Sequence, residues 1–569
     1  MTRRFRLPLL VAALIGATVA AHAEWSHSFP TDGTVSVRAS SLFEKIPSVG
    51  YLPITFTIEN GSEAELTYDL SANTQSGHSQ NQSISSTSSR LRVPGNQRAS
   101  ATLLTPITVT NQGTYRTAAV QVFGPHLDGN GKASFPGGGS SGKATTFTAM
   151  SSALSLRSWS PLQEQAKKNK TPLSGSIFEP SKIPTHWRGL SGVTLLWITA
   201  DEFDALLPAQ RTTVEDWVRL GGQLFWVVQK TSTRSLTEFG APSSDELTAP
   251  LGLGTISFRQ WDGRELPPDE TLTAINKVSD RAAEQINSGY AKRWRLADNV
   301  GGLRFPVTLL VIFITLFAIT IGPLNLFWFA RSGRRHRLFW TTPLISLVAS
   351  GLLVAIILLQ DGTGASGQRI TFARLLPDSN QMIIRQEQVS RSGLLLDRAF
   401  TLAEPALVAP LVIHDQANAT RQFRQDDENL SGDWFSSRSV QAQYLEALVP
   451  TRARVELLET QPDGTPTLLS SVPHTLDTIL YVDAEGRRWQ AGPLRPGEKL
   501  PLIPATQEQF SDVLTVPAAG PLVSSAWTSQ RGTRNVFYAT ATKGPTLATL
   551  PAVRWKHSQN LLTGPVTKR

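Results

Sequence analysis

The stretch that decides the architecture is VTLLVIFITLFAITIGPLNLFWFA (residues 307–330), RSGRRHR (331–337) and LFWTTPLISLVASGLLVAIILLQ (338–360). The two apolar runs, 24 and 23 residues long, carry no charge, and each is long enough to cross a bilayer with some tilt. Between them Arg331, Arg334, Arg335 and Arg337 crowd into seven residues. An arginine at the bilayer centre costs about 2.5–3.5 kcal/mol even on a lenient insertion scale, so these four stay outside the hydrocarbon. The runs are therefore expected to form a transmembrane helical hairpin within residues 305–361, with the lipid bilayer as its partner. Trp328, Phe329, Phe339 and Trp340 flank the bend where an aromatic belt would sit. In the first run Gly322, Pro323 and Asn325 interrupt the apolar pattern, and Pro323 lacks a backbone N–H. They read either as a helix-contact or conduction element, or as a kink with Asn325 bonded to the partner helix or to freed carbonyls.

Orientation is set from the N-terminus. Residues 1–23 read as a signal peptide: Arg3, Arg4 and Arg6, then an apolar core from Leu7 to Ala20, then Ala21-His22-Ala23 as a cleavage site. That core would span about 21 Å, short of the roughly 30 Å hydrocarbon layer. Cleaved or kept as an anchor, it sends residue 24 onward out of the cytoplasm. A two-helix hairpin then returns the C-terminal part to the same side. Lys292, Arg293, Arg295 and Arg304 before the first run leave the local charge count nearly balanced, so the signal carries the assignment. The expected location is a bacterial inner membrane with most of the chain periplasmic and the arginine loop cytoplasmic.

At 569 residues the chain is too long for one core. It has no cysteine, which excludes disulfides, thiolate nucleophiles and Cys-ligated metal or cluster sites. The formal charge of +9 falls to +6 without the signal, and no basic helix interleaved with aromatics occurs, so nucleic acid is not an expected partner.

The expected fold class is a multi-domain α+β membrane protein. Residues 24–150 alternate in short β-prone runs, with Ile54, Phe56 and Ile58 on one face and Asn60-Gly61 as a hairpin-type turn signal, and read as a β-sandwich. The Ser/Gln/Asn-rich residues 71–90 read as a long exposed loop or a polar edge hairpin. In residues 151–262 the runs 193–198 and 223–228 are near-continuous apolar strands around a helix from Pro208 to Leu220, ended by Gly221-Gly222. That is a βαβ crossover. Residues 263–304 read as a linker. Residues 362–569 return to β-type runs as a second β-rich domain.

The run from Pro184 through His186-Trp187-Arg188-Gly189-Leu190-Ser191-Gly192, followed by Asp216-Trp217-Val218-Arg219-Leu220-Gly221-Gly222, resembles the degenerate class I glutamine-amidotransferase-like domains of bacterial envelope proteins. Ile321-Gly322-Pro323-Leu324-Asn325 resembles a tract in one of their uncharacterised families. The resemblance implies an α/β fold placed before a membrane segment. Catalysis does not carry over, because an active amidotransferase needs a cysteine nucleophile.

Other chemical signals are weaker. Gly137 to Lys143 matches phosphate-loop spacing until Ala144 replaces the Ser or Thr that would hold magnesium, and β-prone residues follow where a helix should open; nucleotide binding is not expected. The Gly-x-Ser-x-Gly string at 138–142 lacks the strand–helix context of a nucleophile elbow. Asp201, Glu202 and Asp204 follow a strand's carboxyl end, where open α/β sheets bind ligands, but acids in a helix's first turn also satisfy free N–H groups. Asp426, Asp427, Glu428 and Asp433 lack the rhythm of a calcium loop, and the nine histidines are scattered. Trp434 and Phe435, adjacent aromatics in a polar setting, are read either as a candidate binding loop or as an anchor packing that loop onto a sheet. No catalytic residue, cofactor or metal ligand is assigned. The expected function is a non-enzymatic inner-membrane accessory or scaffold protein working through protein–protein contacts in an envelope complex. The alternative is a periplasmic-facing ligand- or glycan-binding receptor, and a hydrolase assembled from distant residues ranks third.

Overall fold

The computed structural model describes residues 25–568 apart from 78–81, 109–114, 130, 136–137, 140–145, 241–245, 279–285, 287–289, 291–293, 302–306, 330–332, 363, 396, 414–419, 427–428, 459–463, 517 and 531. The expected signal peptide, Arg304, Arg331, Asp427 and Glu428 lie outside the described residues. The chain is a multi-domain α+β protein and divides into two compact units. One comprises Met1–Ser76, Ser86–Thr108 and Gly113–Glu284; the other comprises Gly77–Ser85, Val109–Gln112 and Gln285–Arg569.

In the first unit, β1 (Trp25–Phe29), β2 (Val35–Ser41), β3 (Tyr51–Asn60) and β6 (Arg98–Pro106) form an antiparallel sheet. Alternation puts Val37, Ala39, Ile54, Phe56 and Ile58 inside and Arg38, Thr55 and Thr57 outside. The inner residues share one core with Tyr68, Leu70 and Ala72 of β4 (Leu66–Ser76) and Ala118, Val120 and Val122 of β7 (Tyr115–Phe123). Asn60-Gly61 differs from its expected role. It does not close a hairpin, because β3 pairs with β2 and β6 while β4 pairs with β7. Asn60 is buried, and its amide donates to the carbonyls of Ala64, Val93 and Pro94, holding a crossing between sheets. Of the two expected readings of the polar stretch 71–90, the loop gives way to paired strands: it supplies arms of the neighbouring β4 and β5 (Ser83–Val93). Its inward Thr74 and Thr87 donate to the carbonyls of Pro106 and Leu104, which lets hydroxyls occupy inward positions.

The second sheet of this unit runs β11 (Ser174–Phe178), β10 (Phe147–Ser151), β12 (Leu195–Thr199), β13 (Gln223–Gln229), β15 (Gly254–Trp261), β14 (Thr248–Leu251). All neighbours are parallel except β14 with β15. Helix α1 (Ser152–Lys168) links β10 to β11, and α2 (Ala200–Asp204) and α3 (Pro208–Arg219) link β12 to β13. Trp159 and Leu162 of α1 share a core with Met150, Trp197 and Phe225, and Trp197 stacks on Phe225 at 4.0 Å. A Cβ on Gly222 would lie 2.3 Å from the Trp217 indole, so the turn after α3 requires glycine there. Two expected boundaries move. The sheet's inner strand β10 starts at Phe147, and the stretch read as a linker contains α4 (Pro268–Lys277), whose Leu272 and Ile275 join the same core as α1.

The second unit holds the hairpin and a large sheet. Strand β16 (Ala365–Leu376) pairs antiparallel with β17 (Gln381–Ser392) and parallel with Val553–Lys568, and β17 pairs with Val440–Pro450. Both faces of β17 are buried, as its apolar and polar residues without clean alternation require. Met382 and Ile384 enter the main core with Leu445, Leu562 and Phe537. Glu387, of opposite parity, meets a different cover, described below.

Candidate functional site

The first run is helical over Val307–Ile319 and continues as a π-helix over Thr320–Phe329; the second is an α-helix over Leu338–Asp361. Both are long and apolar enough to cross a membrane. Their large side chains point outward: Leu347 is 70% exposed and Val348 63%. The wider π pattern begins just before Pro323, which cannot donate to an α-helical ladder. Gly322 has open space at its Cβ position. Asn325 is fully buried, and its Nδ2 donates to Thr342 Oγ1 on the second helix at 3.0 Å. Its Oδ1 has no hydrogen-bond partner among the described residues. Arg334, Arg335 and Arg337 are exposed at the bend, and Trp328, Phe339 and Trp340 are each at least 75% exposed beside it.

Both feet of the hairpin are held by the same folded unit. On the incoming side Ile286, Tyr290, Trp294 and Leu296 are buried. The short helix Arg295–Val300 packs against β16 and β17. Trp294 Nε1 donates to the Ala518 carbonyl, and the Tyr290 hydroxyl donates to Glu387 Oε1. The Glu387 carboxylate also accepts the N–H groups of Gly520, Leu522 and Val523 at the start of the helix Pro521–Thr528. Burial pushes the Glu387 carboxyl above its ordinary range, and the bonds from Tyr290 and the helix N–H groups pull the other way. On the outgoing side, the second helix ends at Asp361 and β16 begins at Ala365. Sequence reading missed this clamp. Its available signals were Ile286, Tyr290 and Trp294 at helical spacing and the Gln386-Glu387-Gln388 run following Met382-Ile383-Ile384.

The α/β sheet has its own candidate site. β10 connects outward to β11 while β12 lies on the other side of β10, so their carboxyl ends flank the crevice where such sheets bind ligands. Here Glu202 fills it. Its carboxylate accepts from Ser151 Oγ (2.6 Å), Ala153 N (3.1 Å), Thr199 N (3.1 Å) and Thr199 Oγ1 (2.8 Å). It thereby caps α2 and satisfies the start of α1 together. Asp204 instead pairs with Arg234 at 2.6 Å.

Residues 184–193 form a joint between the two sheets of the first unit. Gly50 and Gly192 approach so closely that a Cβ on Gly50 would lie 2.6 Å from Gly192 N. Ser191 Oγ accepts from Tyr51 N, and Ser176 Oγ accepts from Glu44 N. His186 Nδ1 accepts from both Arg188 N and Arg188 Nε. Burial and the Arg188 charge lower its pKa to about 4. A groove of about 730 Å³ lies between this segment and the outer face of β1, β2, β3 and β6, walled by Arg38, Thr55, Thr57, Lys182, Thr185 and His186.

Trp434 and Phe435 are 0% and 2% exposed, and the Trp434 ring packs on Phe423 and Phe400 within the main core. They anchor the loop, because two large rings gain more from burial than from exposure on this polar segment. Gly138–Gly139 of the phosphate-loop-like run form a short strand paired with Tyr115 and Arg116, and the rest of that run lies outside the described residues. Among the described residues no group of three or more His, Asp or Glu is placed to hold a metal ion.

No family model matches the chain, and no curated protein matches it. Among solved structures, a cycloisomaltooligosaccharide glucanotransferase of Paenibacillus sp. aligns at 9% identity over 38% of this chain and 30% of its own, with a TM-score of 0.17. A calcium-binding mutant of β-glucuronidase 2 of Bacteroides uniformis aligns at 8% identity over 34% and 23%, at 0.13. A β-D-mannosidase from Dictyoglomus thermophilum aligns at 9% identity over 86% and 76%, at 0.16. The chain thus spans less than a third of the length of the first two, and at these scores the alignments carry no argument about this chain.

Proposed function

We propose that this protein is a non-enzymatic accessory or scaffold protein of a bacterial inner membrane, held by one two-helix hairpin and acting through protein–protein contacts in an envelope complex. Its large domains lie on the periplasmic side and its arginine bend on the cytoplasmic side. The observation that carries this reading is the clamp at the hairpin's feet. The segment before the first helix and the strand after the second belong to one folded unit, so both feet share one aqueous compartment and the bend lies across the bilayer. Glu202 filling the α/β crevice supports a domain that serves as a surface and takes no substrate there, in keeping with a degenerate amidotransferase-like domain. Purification from detergent extracts should bring down stoichiometric membrane or envelope partners, and a solitary monomer overturns the proposal. Reporters fused at Gly50 and Leu550 should report the same side of the membrane.

A receptor for a glycan or small ligand is the second reading. Burial of Trp434 and Phe435 removes its aromatic platform, and the polar groove beside His186 is the observation that favours it. A thermal-shift screen separates the two, since a ligand at about 100 times its Kd stabilises by roughly 2.7 kcal/mol.

A further inference from the structure

We propose that the turn at Gly393-Leu394 of the C-terminal domain lies in the membrane interface, with Leu394 as an apolar anchor at the boundary between lipid headgroups and acyl chains. The inference rests on the reading of residues 307–361 as a membrane hairpin and adds a second membrane contact, made by the folded domain itself.

The second helix is long enough to fix the depth of its own end. Trp340 sits in the aromatic belt at the bend, and a hydrocarbon layer of about 30 Å takes roughly 20 residues at 1.5 Å each. That count from Trp340 ends near Gln360, so the helix terminus at Asp361 reaches the opposite boundary. The next residues do not lead away as a tether. Leu394 N donates to the Gly362 carbonyl at 3.1 Å, Gly364 N donates to the Leu394 carbonyl at 3.0 Å, and Gly393 N donates to the Gly364 carbonyl at 2.9 Å. Three backbone bonds therefore tie the turn to the residues just beyond the helix, one to Gly362 and two to Gly364. Arg438 N donating to the Gly393 carbonyl joins the same turn to the loop that carries Trp434 and Phe435. Leu395 is buried in the main core, whereas Leu394 stays 39% exposed. Outside the hairpin, the other large apolar residue exposed in this unit, among the described residues, is Ile503 at 59%, and no bond ties it to a helix end. An apolar side chain held at headgroup depth gains by entering the interface, as amphipathic surface anchors do.

The chain has no cysteine, so single substitutions give unique attachment points. Nitroxide labels at Leu394→Cys, Val348→Cys and Ile503→Cys, in the full-length protein in phosphatidylglycerol/phosphatidylcholine vesicles, are compared for collision with oxygen and with a water-soluble nickel chelate. The expected result is a label deep in the bilayer at Val348, a shallow membrane depth at Leu394 with an oxygen-to-nickel ratio severalfold above that at Ile503, and an aqueous label at Ile503. An aqueous label at Leu394 with a deep one at Val348 overturns this proposal and leaves the hairpin standing. Aqueous labels at both overturn the hairpin and this proposal together. A Leu394 label shielded from both reagents means that protein covers the turn, which also overturns it.

Discussion

The hydroxyl of Tyr290 donates to Oε1 of Glu387 at 2.5 Å, across 97 residues and with both long apolar helices between them in sequence. One bond thus joins the segment that enters the first helix to the sheet that begins where the second helix ends.

Removing that donor should weaken the C-terminal unit. Tyr290→Phe leaves a buried carboxylate short of one partner, at a cost of about 1.5–3 kcal/mol. Urea unfolding of the detergent-solubilised protein measures it. Glu387→Leu should cost more, since it strands the N–H groups of Gly520, Leu522 and Val523.

The same carboxyl gives a pH dependence with a definite sign. Its pKa is raised by burial above the ordinary 4.5, so the folded state holds the proton more tightly than the unfolded state. This contribution is complete below about 4.5 and is lost as pH rises through the raised value. Glu387→Gln should flatten that part of the stability–pH curve, and denaturation midpoints across the acid range test it.

His186 acts in the opposite sense on the first unit. Its pKa falls from 6.5 to about 4 in the folded state, so the unfolded chain takes up a proton first as pH drops. Stability from this site is intact above about 6.5 and declines toward pH 4. His186→Asn should remove that slope, and a profile as steep as the parent's sinks the assignment.

In the hairpin, Asn325→Leu and Thr342→Val should each loosen the helix pair by about 0.6–2 kcal/mol, and the double variant should cost less than their sum. Unfolding in mixed detergents reads this. Strict additivity would show that the Asn325–Thr342 bond contributes nothing.

Glu202→Ala should destabilise the α/β sheet by about 1–3 kcal/mol by stranding its four donors. Millimolar acetate should restore part of the loss in this variant and leave the parent unchanged, as thermal melts will show.

Some of this is legible in the order of the residues, and the rest is hidden for identifiable reasons. The helix ended by Gly221-Gly222, with Val214, Trp217 and Val218 on its inner face, follows from local periodicity, and all three side chains are buried. Asn60-Gly61 misled because a turn dipeptide carries no information on which sheet the next strand joins. Phe147–Ser151 reads as β-prone but falls on the wrong side of the expected boundary, because a short β run does not encode which sheet it joins. The Glu202 crevice was legible only as two alternatives, since the choice depended on where Ser151 and Ala153, about 50 residues upstream, would lie. Trp434 and Phe435 are equally open in sequence, because a ring pair in a polar segment has one spelling whether it faces solvent or core.

What the linear order of residues determined by itself is the hairpin. Length and apolarity are properties of consecutive residues, so two uncharged runs long enough to cross a bilayer and an arginine bend between them require no knowledge of the remaining fold. Only the tertiary structure decided how that hairpin is gripped and which polar groups are already satisfied. Tyr290 and Glu387, or Glu202 and Ser151, meet through backbone paths whose course no local pattern encodes, and hydrogen bonding inside a protein depends on positions a few ångströms apart in space.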